Sequence, residues 1–394
     1  MPNSNDAFGR FRRYLRFARK EVAPISKLIS PSPLILHVVE SYGGGVASAI
    51  DAYVASTPGL RHHLLAAVRV ADFASSGELT RFGRFRELPT HLFAAMKSIR
   101  SEVKQTRPDV VHVHSSLAGA FARLSLRSSR TRIVYTPHCY AFERRDLHVL
   151  VRAAYWLIEW FLGANTSATA ACSKRELALS RLLMGRGTSV LVPNVGPAAD
   201  SALLRPSGIT EGGQSHLLVA VGRLTAQKDP LFFREVVDIV RQTVPCEALW
   251  LGDGEPDLRT ALVGDSIDVS GWLPRTEIVN RLCRAGIYVH TAAWEGFPVS
   301  ILEASVLGLP IAARSIPALG EHAGLGGPDA ESLAQTVIKL LSANSARSEN
   351  IATWRDELAI NSALNQRDGL ALAYGLEIQP RRPQPLTPHP HPNR

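Results

Sequence analysis

Short runs of valine, isoleucine and leucine alternate with helix-compatible stretches, and this narrows what the chain can become more than any other feature. Such runs lie at 34–39, 64–68, 110–114, 133–136, 168–172 and 189–193, with a second set at 217–221, 247–251, 287–291 and 310–313. A strand that is apolar at nearly every position is buried on both faces. Helices between successive strands make them parallel, as in βαβ units. Between the two sets, residues 196–215 are rich in Gly, Pro, Ser and Ala without an apolar period, the pattern of a connector. The simplest architecture is α/β, with two Rossmann-like, doubly wound parallel-sheet domains facing a central cleft. A chain of 394 residues suits two domains at roughly 150 residues each. The expected divisions are a first domain over 31–200, a linker over 201–216, a second domain over 217–350 and closing helices over 351–378.

Composition matters mainly at the ends. The net charge is +9, but residues 1–30 carry seven Lys/Arg against two Asp/Glu, and 379–394 carry three Arg and no acid. The body between them holds 34 basic and 33 acidic groups. A nearly neutral body argues against a nucleic-acid partner bound through a basic domain face. Within the arm 1–30, Phe8, Phe11, Leu15 and Ala18 share one face of a helix while arginines fill the rest. That pattern suits an anionic membrane surface, bound through residues 8–28. Arginines interrupt every early apolar stretch, so no secretory signal is expected. The later apolar run 153–164 contains Glu159 and is shorter than the ~20 residues of a span. Residues 155–162 are therefore expected as a buried helix of the first domain. Four cysteines, far apart and without a CxxC pair, fit a reducing compartment, so the expected location is cytoplasmic, peripheral on the inner face of the plasma membrane. Six prolines in 379–394 leave that tail without regular structure.

The densest chemical signal is Trp294-Glu295-Gly296-Phe297-Pro298-Val299-Ser300-Ile301-Leu302-Glu303. A strand runs into a short loop, and a helix is expected from Pro298, where the missing N–H costs nothing. Glu303 then lies about 7.5 Å along the axis from that start. Free backbone N–H groups and the positive end of the helix dipole fall between Glu295 and Glu303. A diphosphate flanked by two hydroxylated groups would match this layout, the phosphates at the helix start and the carboxylates on hydroxyl pairs. Taken alone, two such glutamates are more often a solvated side chain and a dipole partner. His112 and His114 share one strand face, but no third ligand is spaced to complete a metal site with them. A dehydrogenase is disfavoured, because no GxGxxG follows the first strand.

Glu295 and Glu303, separated by seven residues, resemble the E-x7-E signature of retaining glycosyltransferases of family 4, which use nucleotide sugars and have the two-domain GT-B fold. Other segments agree, in order. They are Gly43-Gly44-Gly45-Val46, Arg107-Pro108-Asp109-Val110-Val111-His112, Tyr135-Thr136-Pro137-His138, Val192-Pro193-Asn194, Val221-Gly222-Arg223-Leu224 with Lys228, Leu251-Gly252-Asp253-Gly254 and Ser270-Gly271-Trp272-Leu273. The resemblance covers roughly residues 34–375. It implies that Arg223 and Lys228 neutralise the leaving diphosphate. It implies also that Glu295, with the Gly296 and Phe297 amides, holds the transferred sugar, that Glu303 binds the ribose and that the Leu273 region lies by the base. His138 would contact the sugar near the reacting carbon, and Gly44, Gly45, Gly222, Pro298 and Val299 would complete the donor site. Residues 139–146 form a plausible acceptor loop, and 366–374 would cross back to the first domain. Asp-x-Asp, a metal–diphosphate motif, is absent. Neutralisation by cations and a helix dipole, with no metal cofactor, is therefore expected. The implied partners are a nucleotide-sugar donor and a glycan or lipid-linked acceptor in cell-surface polysaccharide assembly. Alternatives on the same fold are a sugar-nucleotide epimerase, a phosphorylase or a non-catalytic scaffold.

Overall fold

A computed structural model describes residues 32–67, 78–183, 187–197, 216–263, 267–320 and 326–377. The basic arm, residues 201–215 of the linker and the proline-rich tail lie outside these residues.

The first domain runs β1 (Leu34–Val39), α1 (Gly44–Ser56), β2 (Arg61–Ala66), β3 (Arg84–Glu87), α2 (Leu92–Thr106), β4 (Val110–His114), α3 (Ser116–Ser125), β5 (Arg132–Thr136), α4 (Val149–Gly163), β6 (Ala168–Ala171), α5 (Lys174–Leu183) and β7 (Thr188–Leu191). Its strands form a seven-stranded parallel sheet in the order β3-β2-β1-β4-β5-β6-β7. The second domain runs β8 (Leu217–Val221), α6 (Pro230–Arg241), β9 (Glu247–Leu251), α7 (Pro256–Val263), β10 (Asp268–Val269), α8 (Arg275–Leu282), β11 (Ile287–His290), α9 (Val299–Val306) and β12 (Ile311–Ala313). Its parallel sheet has the order β10-β9-β8-β11-β12. Helices α10 (Ala330–Ser342), α11 (Asn344–Glu357) and α12 (Ala363–Tyr374) close the chain. This is the expected class, two doubly wound Rossmann-like domains. The short edge strands β3 and β10 were not legible in the sequence. Each is at a sheet edge, and Arg84-Phe85-Arg86-Glu87 has no buried residue to betray it.

Side-chain alternation splits each strand between two cores. Leu36, Val38, Val111 and Val113 pack with Ala95, Ile99 and Phe121 of the helices on one face. Ile35, Val110 and Val134 pack on the other face against Tyr53 of α1 and Leu370, Ala373 and Tyr374 of α12. Although it follows the second domain in sequence, α12 thus lies in the core of the first. Gln366 at its centre accepts from Ser56 Oγ (2.7 Å) and donates to the Pro193 carbonyl (2.9 Å).

One expectation is overturned. The apolar helix α4 is not a core helix. Leu150, Leu157, Trp160 and Phe161 are 72, 58, 56 and 69% exposed, and only Glu159, Leu162 and Gly163 are buried. Its inner side is polar. Glu159 pairs with buried Arg123 of α3 (2.9 Å) and accepts from Tyr135 Oη (3.0 Å), while Arg123 also lies over the Tyr135 ring. This buried ionic anchor, with Leu162 and a hydrogen bond from Arg152 Nε to the Phe142 carbonyl (2.9 Å), holds α4 down and leaves its apolar side outward.

In each sheet the connections reverse direction between two neighbouring strands, β1 and β4 in the first and β8 and β11 in the second. At such switch points the loops after the carboxyl ends of the strands diverge and leave a crevice. Both crevices open toward the same junction between the domains.

Candidate active site

The second domain contributes two loops that are laced together. Ala293 N donates to the Gln227 carbonyl (2.9 Å), Thr291 Oγ1 to the Lys228 carbonyl (2.8 Å) and Gln227 Nε2 to the Trp294 carbonyl (3.1 Å). The lacing sets Lys228 Nζ against Glu295 Oε1 in a largely buried ion pair. Gly222, with φ 153°, lets the lysine stem lie across the end of β8. A Cβ there would sit 3.0 Å from three of its side-chain carbons. Arg223 is exposed, and its guanidinium has no ion pair or hydrogen bond among the described residues.

Helix α9 begins at Val299, one residue later than expected, with Pro298 as its N-cap. Pro298 supplies no side-chain cap and the first turn holds no acid. The leading amides and the positive dipole end are therefore left for another partner. Glu303, on the next turn, is buried and accepts from Arg275 Nη2 of α8 at 2.6 Å. Burial pushes its carboxyl above the usual range, against the opposing pull of Arg275 and Lys228. Leu273 is half-buried just before α8 and packs on the core beneath α9.

The first domain closes on these loops. A Cβ on Gly45 at the start of α1 would lie 3.9 Å from Val299 Cγ2, so the two glycine- and proline-led helix starts face each other. Gly44 precedes it with φ 54°. Arg275 Nη1 crosses the junction to Ser48 Oγ of α1, and Asn194 Nδ2 donates to the Phe297 carbonyl at 3.1 Å. At Gly296 the approach is closest. A Cβ would be 2.7 Å from both Cys139 N and the His138 carbonyl carbon, and 2.8 Å from Glu176 Oε1.

His138 and Cys139 are consecutive non-glycine residues with φ 52° and 99°. Such conformers cost on the order of 1–3 kcal/mol each and persist only where the surroundings impose them. Here Glu176 does so. Its carboxylate accepts from Cys139 N (2.6 Å) and Cys172 N (2.9 Å), from a fully buried position that raises its pKa to about 7 despite those two hydrogen bonds. Glu176 escaped the sequence reading. The available signal was Ser173-x-x-Glu176, a capping box. Ser173 Oγ accepts from Glu176 N (3.1 Å) as that motif requires, while the carboxylate reaches on to the His138 turn.

The histidines need a second correction. The third partner for His112 and His114 exists and comes from the neighbouring strand, because β1 places His37 opposite His112. The ring nitrogens of His37, His112 and His114 lie within 4.8 Å of one another. All six nitrogens of this trio already have protein partners at 2.8–3.1 Å. A cation would have to break at least two of these hydrogen bonds in a fully buried site. Burial holds all three rings well below the ordinary histidine range, and lowers His62 to about 4 and His138 to about 3.

The junction thus gathers Gly44, Gly45, His138, Gly296, Phe297, Pro298 and Val299. Gly222, Lys228 and Glu295 form one cluster beside it, and Glu303 sits with Arg275. Arg223 is exposed just after β8, and Leu273 lies just before α8. Chemically the arrangement offers cations and a helix start without a side-chain cap to an anion, with carboxylates on either side that could accept from hydroxyl groups.

The family model described as Glycosyltransferase Family 4 matches residues 44–195, and that described as Glycosyl transferases group 1 matches residues 215–343. An uncharacterised 41.2 kDa protein of the cps region of Klebsiella pneumoniae is 23% identical over 73% of this chain and 82% of its own length. The UDP-Gal:alpha-D-GlcNAc-diphosphoundecaprenol alpha-1,3-galactosyltransferase of Escherichia coli is 29% identical over 57% of this chain, an alignment spanning 63% of that enzyme, less than two thirds. Among solved structures, sucrose-phosphate synthase from Thermosynechococcus elongatus superposes with a TM-score of 0.67 at 16% identity, over 86% of this chain and 96% of that one. Anabaena HepE in complex with UDP and glucose gives 0.63 at 17% identity, over 86% and 97%.

Proposed function

Since the chain is a GT-B glycosyltransferase, built of a family 4 half and a group 1 half, we propose that it moves a sugar from a nucleotide diphosphate to a lipid-linked glycan, with retention, in cell-surface polysaccharide biosynthesis. The observation that carries this reading is the meeting, at the domain junction, of the Lys228–Glu295 pair, the uncapped start of α9 and the glycine-led start of α1.

The diphosphate would lie on the α9 amides, with Arg223 and Lys228 drawing off the charge that develops on the leaving oxygen. Arginine binds phosphate oxygens through a planar fork and lysine adds a point charge, so no metal cofactor is invoked. In this arrangement Lys228 is held by Glu295 and Glu303 by Arg275. Donor binding would exchange both partners, the lysine turning to phosphate and Glu303 to the ribose hydroxyls. Glu295, with the Gly296 and Phe297 amides, would hold the sugar beneath His138. With Glu295 assigned to hold the sugar and Glu176 engaged by the Cys139 and Cys172 amides, attack and departure would fall on the same face of the sugar.

The acceptor class is supported by the Escherichia coli relative, whose name specifies a diphosphoundecaprenol-linked sugar. The outward face of α4 also supports it. Its exposed side carries Tyr155, Trp156, Trp160 and Phe161 and no carboxylate, since Glu159 faces the core, and exposed Arg145 precedes it, next to an Arg144–Asp146 ion pair (2.6 Å). Aromatic residues with adjacent cations suit an anionic lipid surface, and the basic face of residues 8–28 would add to the attraction. No helix among the described residues is long and apolar enough to cross a membrane, so the helix would lie on the bilayer. The loop leading into α4 starts at His138, which would bring a lipid-borne acceptor to the junction.

The test is a thermal-shift panel of UDP, GDP and ADP with their sugar conjugates. One series should raise the melting point, since a ligand bound only by the native state stabilises it by mass action. No shift with any member, at concentrations up to the millimolar range, would sink the donor-site reading.

A further inference from the structure

A file of four histidines crosses the first sheet and ends at His138. It starts at Thr57, just after α1. The Thr57 hydroxyl donates to the Tyr53 carbonyl at 2.6 Å, so its single proton is committed. Thr57 then shows His62 Nε2 only acceptors, its Oγ1 at 3.2 Å and its carbonyl oxygen at 3.4 Å. A nitrogen between two acceptors has to donate, which leaves His62 Nδ1 bare, because a neutral imidazole carries one proton. His62 Nδ1 lies 3.0 Å from His37 Nε2, His37 Nδ1 lies 3.0 Å from His114 Nε2, and His114 Nδ1 lies 3.1 Å from His138 Nε2. Each contact repeats the same choice. The donor is Nε2 at every ring, and the bare nitrogen is Nδ1.

We propose that this file locks His138 as the Nε2–H tautomer and presents its Nδ1 as a lone-pair acceptor for a hydroxyl of the transferred sugar, with Thr57, His62, His37 and His114 as positioning residues. The sugar clause rests on the glycosyltransferase reading; the tautomer does not. Four rings carry four protons, and the four gaps from Thr57 to His138 take one each. The opposite polarity would set two lone pairs, His62 Nε2 and the Thr57 carbonyl, against each other in a dry interior, where an unmade hydrogen bond is most costly. His138 Nδ1 has no protein partner among the described residues. Burial keeps every ring of the file uncharged near neutral pH, so no second proton arrives to scramble the order.

The experiment is long-range proton–nitrogen NMR on the full chain labelled with ¹⁵N-histidine, assigned by single His→Phe variants. His37, His62, His114 and His138 should all carry their proton on Nε2. His62→Phe removes the acceptor for His37 Nε2–H and should leave His138 a mixture of tautomers. His62→Asn, whose side-chain oxygen replaces the accepting Nδ1, should restore the single form. Turnover of UDP-glucose or UDP-galactose should follow, falling about tenfold in His62→Phe and recovering in His62→Asn, since one misdirected hydrogen bond is worth on the order of a factor of ten. A wild-type His138 with its proton on Nδ1 would overturn the proposal. So would an unchanged His138 in a folded His62→Phe variant. A wild-type protein that turns over neither sugar nucleotide but shows the expected tautomers would count against those donors and leave the relay standing.

Discussion

Arg223 and Lys228 lie five residues apart and resemble each other in sequence, yet their surroundings differ. Lys228 is pinned by Glu295, whereas Arg223 has no protein partner among the described residues. An exposed, unpaired cation contributes little to stability, so Arg223→Ala should leave the melting point and circular dichroism unchanged. If Arg223 stabilises the developing charge on the leaving diphosphate, turnover measured in excess EDTA should fall about 10²-fold. Near-wild-type turnover would remove it from the mechanism. Glu176 behaves in the opposite way, as a buried group that sets stability. Its folded-state pKa of about 7 lies above the ordinary 4.5. Between those values the native chain keeps a proton that the unfolded chain releases, so the stabilisation is present in full below about pH 4.5 and is lost as pH rises through about 7. Urea unfolding at about pH 5 and pH 8 should show the wild type losing on the order of 2 kcal/mol more than Glu176→Gln over that interval. Parallel profiles would show that Glu176 does not titrate there.

Helix α4 shows how composition can mislead at the level of an element. Its run of apolar residues has the content of a core helix, and a sequence cannot say which side turns inward. One buried pair, Arg123 with Glu159, decides it. The partners are 36 residues apart and meet only because α3 and α4 pack side by side. Phe161→Glu places a charge on the outward face, where the native side chain is 69% exposed. It should leave the melting point unchanged and weaken co-sedimentation with anionic phosphatidylglycerol vesicles by about tenfold, the loss expected when a large aromatic no longer enters the lipid. Undiminished sedimentation would argue that α4 does not face the bilayer. Strands behaved differently. β1 and β4 match the apolar runs to the residue, because burial on both faces writes itself into every position, and β8 and β9 match in their bounds although Glu247 is exposed.

The whole molecule is tied together by its last helix. α12 follows the second domain in sequence but completes the first, with Leu370 fully buried against Ile35, Val110 and Val134. Leu370→Ala should therefore cost about 2–5 kcal/mol, and tryptophan fluorescence and circular dichroism should show the loss in the transition of the first domain. A loss confined to the second domain would contradict this packing. The amino-acid sequence alone determined the two parallel sheets and the residues of the α9 loop, since strand burial, helix starts and turn chemistry are local and repeat along the chain. The tertiary structure decided the rest. The pairing of Gly296 with the His138 turn, the ionic anchor that turns α4 outward, the role of Glu176 and the histidine file all join residues far apart in sequence. Their energies exist only once the strands are laid side by side, because hydrogen bonds and buried charges depend on distances of a few ångströms that no one-dimensional pattern carries.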